Sequence, residues 1–262
     1  MSVNFGFSLL VFLASFLGIV SSPLPADEAD ICGAYERLRD GMYNDQPLAV
    51  VQLLYSDALQ QVDAASLPYG RDNLWHSRIE YMIARAYQRW GHADMAIYHY
   101  ECGMVFAEQA IASGLGAEGC RMKSEHLGQL CVLKNLGFLL ANAHKVREHA
   151  RRALDLDPDN VSCQIILAAE KIYSPRMFGG DALEGIELMQ QALRMGTSDK
   201  DDLFNIYSGI GLAYSKLHDY EAASIWFGKA LQIYPNNCYA KEQYRSNNNR
   251  NQAPTTLVPR TP

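Results

Sequence analysis

Residues 204–237 read FNIYSGIGLAYSKLHDYEAASIWFGKALQIYPNN. Tyr207, Ile210, Gly211 and Tyr214 recur at helical spacing, and so do Ala223, Phe227 and Ala230 after a break at His218-Asp219. Asp219 is suited to cap the second run, Pro235 stops it, and Asn236-Asn237 suits the turn that follows. The stretch therefore predicts two antiparallel helices. Such helices approach closely only where one side is small, and Gly211 and Ala223 supply that surface. Ile210, Tyr214 and Phe227 then fill the space towards neighbouring hairpins.

This unit resembles the tetratricopeptide repeat, whose pattern is W-x2-L-G-x2-Y, then A-x3-F, then a closing Pro. Tyr207 stands for the Trp and Ile210 for the Leu. The resemblance implies an all-α fold, a right-handed superhelical array of about five antiparallel helix hairpins. A second copy lies near 77–110: the interval from Tyr87 to Ala96 equals that from Tyr214 to Ala223, and Tyr100 follows. Its second helix is expected to run on to Gly114, with a loop over 114–124. A third copy closes on Ala153 and Pro158. Its first helix is expected at about Leu127 to Ala143, three residues too close to Ala153 for a full unit, so that either the turn at Asn142 to Lys145 is trimmed or the match is degenerate. A fourth hairpin is expected over 160–196, with Asp181-x2-Glu184 opening its second helix. A first hairpin is read over 34–62 and a polar capping helix over 237–246.

Upstream of the array, Phe5 to Val20 is almost wholly apolar and is followed by Ser, Pro and Ala before the first charge at Asp27. Apolar core and then small residues is the layout of an export signal, here without a preceding Lys or Arg. A membrane anchor is the alternative, although a spanning helix needs about 20 apolar residues. The domain reading is thus a signal peptide or anchor at 1–26, the helical array at 27–246, and a disordered tail at 247–262. The expected location is exported, periplasmic or secreted.

The 23 Lys+Arg against 29 Asp+Glu give a net charge of -6, which excludes a nucleic-acid binder driven by bulk positive charge. The seven His form no HExxH, and no P-loop, GxSxG or CxxC occurs. No catalytic, cofactor-binding or metal-binding residues are assigned, no cofactor is expected, and the chain is read as a non-enzyme. Asp155-x-Asp157-x-Asp159 lacks the Gly and distal Glu of a calcium loop and reads as a capped turn. Cys131 and Cys163 would lie on first helices of neighbouring hairpins, close enough to pair, or be small core residues.

The resemblance implies a scaffold for protein–protein contact, its concave face lined by first helices. Tyr81, Arg85 and Gln88 share one helix face, with Arg89 beside them. Ser208, Leu212 and Lys216 are in register in the last unit, with Asn135 added if the third alignment holds. The partner expected is another protein or peptide, with an acidic segment or a chain-terminal carboxylate suited to these side chains. Membrane contact is expected only if the leader is uncleaved. The alternative is a small-molecule or lipid ligand in a pocket lined by the loops at 114–124 and 174–180.

Overall fold

The computed structural model describes residues 26–252, and every regular element among them is helical. The expected leader, apart from Ala26, and residues 253–262 lie outside the described residues. Five antiparallel hairpins follow one another: α1 (Ala26–Tyr43) with α2 (Leu48–Ala64), α3 (Arg71–Arg89) with α4 (Ala93–Ala112), and α5 (Gly116–Leu133) with α6 (Leu136–Leu156). Then come α7 (Val161–Tyr173) with α8 (Ala182–Met195), α9 (Lys200–Lys216) with α10 (Tyr220–Ile233), and a closing α11 (Cys238–Gln252). None of the described helices is long and apolar enough to cross a membrane.

The last hairpin forms as its sequence dictates. The Asp219 carboxylate accepts the Ala222 amide at 3.0 Å, which satisfies a free donor at the start of α10. A Cβ on Gly211 would sit 2.9 Å from the Phe227 ring, so the close approach of α9 and α10 depends on its absence. Phe227, Ala223 and Ala230 are fully buried beneath it. Hairpin four also follows expectation, with Asp181 accepting the Leu183 and Glu184 amides at 2.9 and 3.2 Å.

Hairpin three differs from the expectation. The stretch expected to loop over 114–124 is mostly helix, and the turn expected at 142–145 is the middle of α6. Gly114, at φ 91°, makes the break instead. The small contact residue is Gly119, where a Cβ would lie 2.9 Å from the Ala107 carbonyl of α4. The turn falls at Lys134-Asn135, and Asn135 caps α6 by accepting the Phe138 amide at 3.0 Å. The shift changes the cysteine neighbours as well. Cys163 shares a small buried cluster with Cys120 and Ala153, not with Cys131, and all six thiols are free.

Helix α11 also continues to Gln252, past the expected boundary at 246. Asn247 is buried there, accepting the Ser215 hydroxyl at 2.8 Å and donating to the Gln243 carbonyl at 2.7 Å. Its side chain thereby holds the end of α11 to α9.

The ends of the array meet. One core cluster contains Leu38, Met42 and Tyr43 of α1 together with Phe204, Phe227, Ala230, Tyr234 and Ala240 from the last units. Tyr43 stacks on Tyr234 at 4.6 Å between ring centres and meets Phe204 edge-on at 5.1 Å. The Asn237 amide donates to the Tyr43 carbonyl at 2.7 Å, and the Cys238 N–H donates to Asp45 at 2.5 Å. Lys200 pairs with Asp40 at 2.8 Å. A row of hairpins is thereby turned into a closed array.

At the start of α9 the Asp202 carboxylate accepts the Ser162 hydroxyl at 2.9 Å and the Thr197 hydroxyl at 3.1 Å. Burial, and then the adjacent Asp201 carboxylate, push its pKa up to about 6. The raised value means that the fold favours the neutral form. This group's contribution is therefore full below its ordinary value of 3.8 and is lost as pH rises through about 6.

Gly211→Ala is expected to destabilise by about 1–2 kcal/mol in urea unfolding, overpacking outweighing the gain in helix propensity. Gly228→Ala, whose new Cβ would stand 3.6 Å from Tyr244 in ordinary contact, stabilises by about 0.5–1 kcal/mol. Asp202→Asn raises stability near pH 8 by up to about 3 kcal/mol, and the gain vanishes near pH 4. A gain that persisted unchanged at low pH would contradict the assignment.

Candidate functional site in the concave face

The first helices of successive hairpins, α1, α3, α5, α7 and α9, turn one side towards the interior of the closed array. Two hollows lie along it. The smaller, about 100 Å³, is lined among others by Arg39, Arg78, Arg121, Glu125 and Asp201. Its charges are matched. Arg121 holds Glu118 at 2.9 Å and Glu125 at 2.7 Å, Arg78 reaches Glu118 at 2.6 Å, and Arg39 lies 3.7 Å from Asp201. Burial works against charge on Glu118, but Arg121 and Arg78 outweigh it and hold the carboxyl well below the usual range. A hollow whose cations are all engaged has little left to offer a ligand.

The larger hollow, about 340 Å³, is different. Met42, Tyr43 and Asp45 come to it from α1 and the turn after it, and Arg85, Gln88 and Arg89 from α3. Gln129 of α5, Phe204 of α9, and Asn237 and Tyr239 at the start of α11 complete its lining. Its volume is in the range of small-ligand pockets. The central cation is Arg85, which is partly buried. Its guanidinium donates to the Tyr43 hydroxyl at 3.4 Å. It also lies over the rings of Tyr43 and Tyr81, 5.1 and 5.8 Å from their centres. Among the described residues no carboxylate pairs with it.

The surrounding phenols do not neutralise it. Burial, ahead of every other influence, raises the pKa of Tyr43, Tyr81 and Tyr100, so each stays a neutral O–H at neutral pH. Arg85 thus keeps a full charge, cushioned by aromatic faces and lacking a counter-ion.

The residues expected from sequence fall into two groups. Tyr81, Arg85 and Gln88 come together at this end of α3, with Gln88 accepting the Tyr100 hydroxyl at 2.8 Å. Arg89 stands at the rim but is engaged by Asp45 at 2.6 Å, the carboxylate that also receives the Cys238 amide. The others lie elsewhere. Asn135 is the exposed cap of α6, and Ser208 is buried and donates to the Phe204 carbonyl at 2.7 Å within its own helix. Leu212 is half-buried against the core, and Lys216 donates to the Ile172 carbonyl. Both are set by the packing of α9 against its neighbours.

Sequence reasoning missed Tyr43, Asp45, Gln129, Phe204, Asn237 and Tyr239. Gln129 was one step from legible: placing α5 at 116–133 brings it level with Arg85. Tyr43 and Asn237 carried no signal, because they meet only when the array closes.

Comparison with known proteins supports the fold. Residues 204–237 match the tetratricopeptide repeat family. No curated protein matches the sequence. Among solved structures, a thermophilic TPR protein of Thermus thermophilus superposes with a TM-score of 0.53 at 15% identity, over 85% of this chain and 98% of that one. YrrB, a TPR protein with an unusual peptide-binding site, gives a TM-score of 0.38 at 14% identity, over 84% of this chain and 98% of that one. Likeness at such identities speaks to fold alone. By fold the chain is a tetratricopeptide-like array of helical hairpins, and at 204–237 it carries the sequence of the repeat itself.

Proposed function

We propose that the chain is a non-enzymatic protein-interaction scaffold that receives an acidic segment of a partner protein in the larger concave hollow. One observation carries this reading: Arg85 points a charged guanidinium into a solvent-open hollow with no carboxylate of its own chain, among the described residues, to pair with it. Burying a cation without a counter-charge is costly, and an incoming carboxylate removes that cost. Gln88 and Gln129 bring further amide groups for the backbone of the entering segment.

A lipid ligand fits less well. An acyl chain laid in this hollow would leave the Arg85 guanidinium without a counter-charge. The apolar run at 5–20 supports an exported protein, so the partner is sought in the envelope or outside the cell.

Random octapeptides panned on residues 27–262 are expected to enrich Asp and Glu. The best synthetic binder should bind Arg85→Gln at least about tenfold more weakly, with circular dichroism unchanged. Its affinity for the wild-type chain should also fall with salt. Enrichment of apolar or basic sequences, or equal binding by the variant, would contradict the reading.

A further inference from the structure

Helix α6 is 21 residues long, but α7, which packs on it, has only 13. The two are antiparallel. Leu156 and Val161 flank the turn, and Arg147 of α6 pairs with Glu170 of α7, so positions opposite one another keep the same register. On that register the end of α7 at Tyr173 falls opposite His144. The first two turns of α6, residues 136–143, extend beyond it by about 12 Å.

The overhang is apolar on the side where α7 would have continued. At 100° per residue, Leu136, Leu140 and Ala143 fall on the same line as Arg147, Ala150 and Leu154. In the second half of α6 that line is covered: Ala150 is fully buried, and Leu154 packs on the buried cluster of Cys120, Ala153 and Cys163. In the first half it is bare, with Leu136 66% and Leu140 61% exposed and Leu139 beside them. Ser174-Pro175 is what stops α7 from covering it. The compact turn that follows exposes Met177 and Phe178, 83% and 61%. Arg176 next to them is exposed and enters no ion pair among the described residues.

We infer that this half-used seam is a second docking surface, and that its occupant is an amphipathic helix of a partner protein, lying where a longer α7 would lie. The seam continues an interface already present in the fold, so the shape it presents is that of a helix groove. Residues 135–144 carry no Lys, Arg, Asp or Glu, so the seat takes an aliphatic stripe. Arg176, three residues past the end of α7, favours acidic flanks on the incoming helix. A stripe of two turns is too small to hold two globular copies together, since stable interfaces bury about 1,200–2,000 Å². The surface is separate from the Arg85 hollow, and the failure of either reading leaves the other standing.

The probe is a lactam-constrained 14-residue helix with Leu at i, i+3, i+4 and i+7 and Glu on both flanks, labelled with fluorescein. It is titrated against the full chain by anisotropy. Saturable binding is expected, weakened at least tenfold by Leu140→Glu and unchanged by Leu217→Glu, an exposed leucine elsewhere. A scrambled isomer should not compete. No binding to the wild-type chain, equal binding by Leu140→Glu, or equal competition by the scrambled isomer would overturn the inference. So would a dimer in sedimentation velocity that Leu140→Glu dissolves, which assigns the face to a second copy. Pelleting with phosphatidylglycerol vesicles that depends on Leu140 would assign it to a membrane and overturn it equally.

Discussion

The concave face depends on where Tyr43 is held. A helical hairpin cannot bury its own apolar side, so each needs a neighbour, and the two terminal hairpins of an array ordinarily lack one. Here they serve each other. Tyr43 lies against Tyr234 and Phe204, and Asn237 fixes its backbone while also capping α11 through the Ala240 amide at 3.0 Å. The aromatic contacts contribute about 0.5–1.5 kcal/mol each beyond their buried area. The polar contacts fix the register of ends that lie far apart in the chain.

Closure also decides which charges are free. It brings Arg39 to Asp201 of α9, while Arg78 and Arg121 are engaged by carboxylates of α5 within the row itself, so the smaller hollow is electrically settled. Arg89 is taken by Asp45, whose position the clasp itself fixes through Cys238. Arg85 sits among the same elements and receives only neutral phenols. Within a single concave face, the contrast with these engaged cations sets Arg85 apart from structural ion pairing.

The last hairpin was legible because its small and large residues stand at fixed offsets that only a close helix pair uses: Gly211 against Phe227, with Ala223 between. The caps at Asp181 and Asp219 were legible for the same local reason. Hairpin three was not, since its close-contact residue, Gly119, sits in a helix with no repeat signature, while Leu136-Gly137 imitates the repeat at the start of α6. Of the site, Tyr81, Arg85 and Gln88 could be read from one helix face. Tyr43 and Asn237 could not, because their role arises from a contact between chain ends, and local periodicity carries no information about that.

Closure is most directly tested by amide hydrogen exchange at Asn236 and Cys238. These amides donate to Asn44 and Asp45, from the turn after the first helix. Cys238 is the first residue of α11 and has no acceptor within its own helix. A closed array predicts slow exchange at both sites, and selective acceleration at Cys238 in Asp45→Ala while the interior of α10 stays protected. Exchange of Cys238 at the rate of a free chain in the wild-type protein would contradict it.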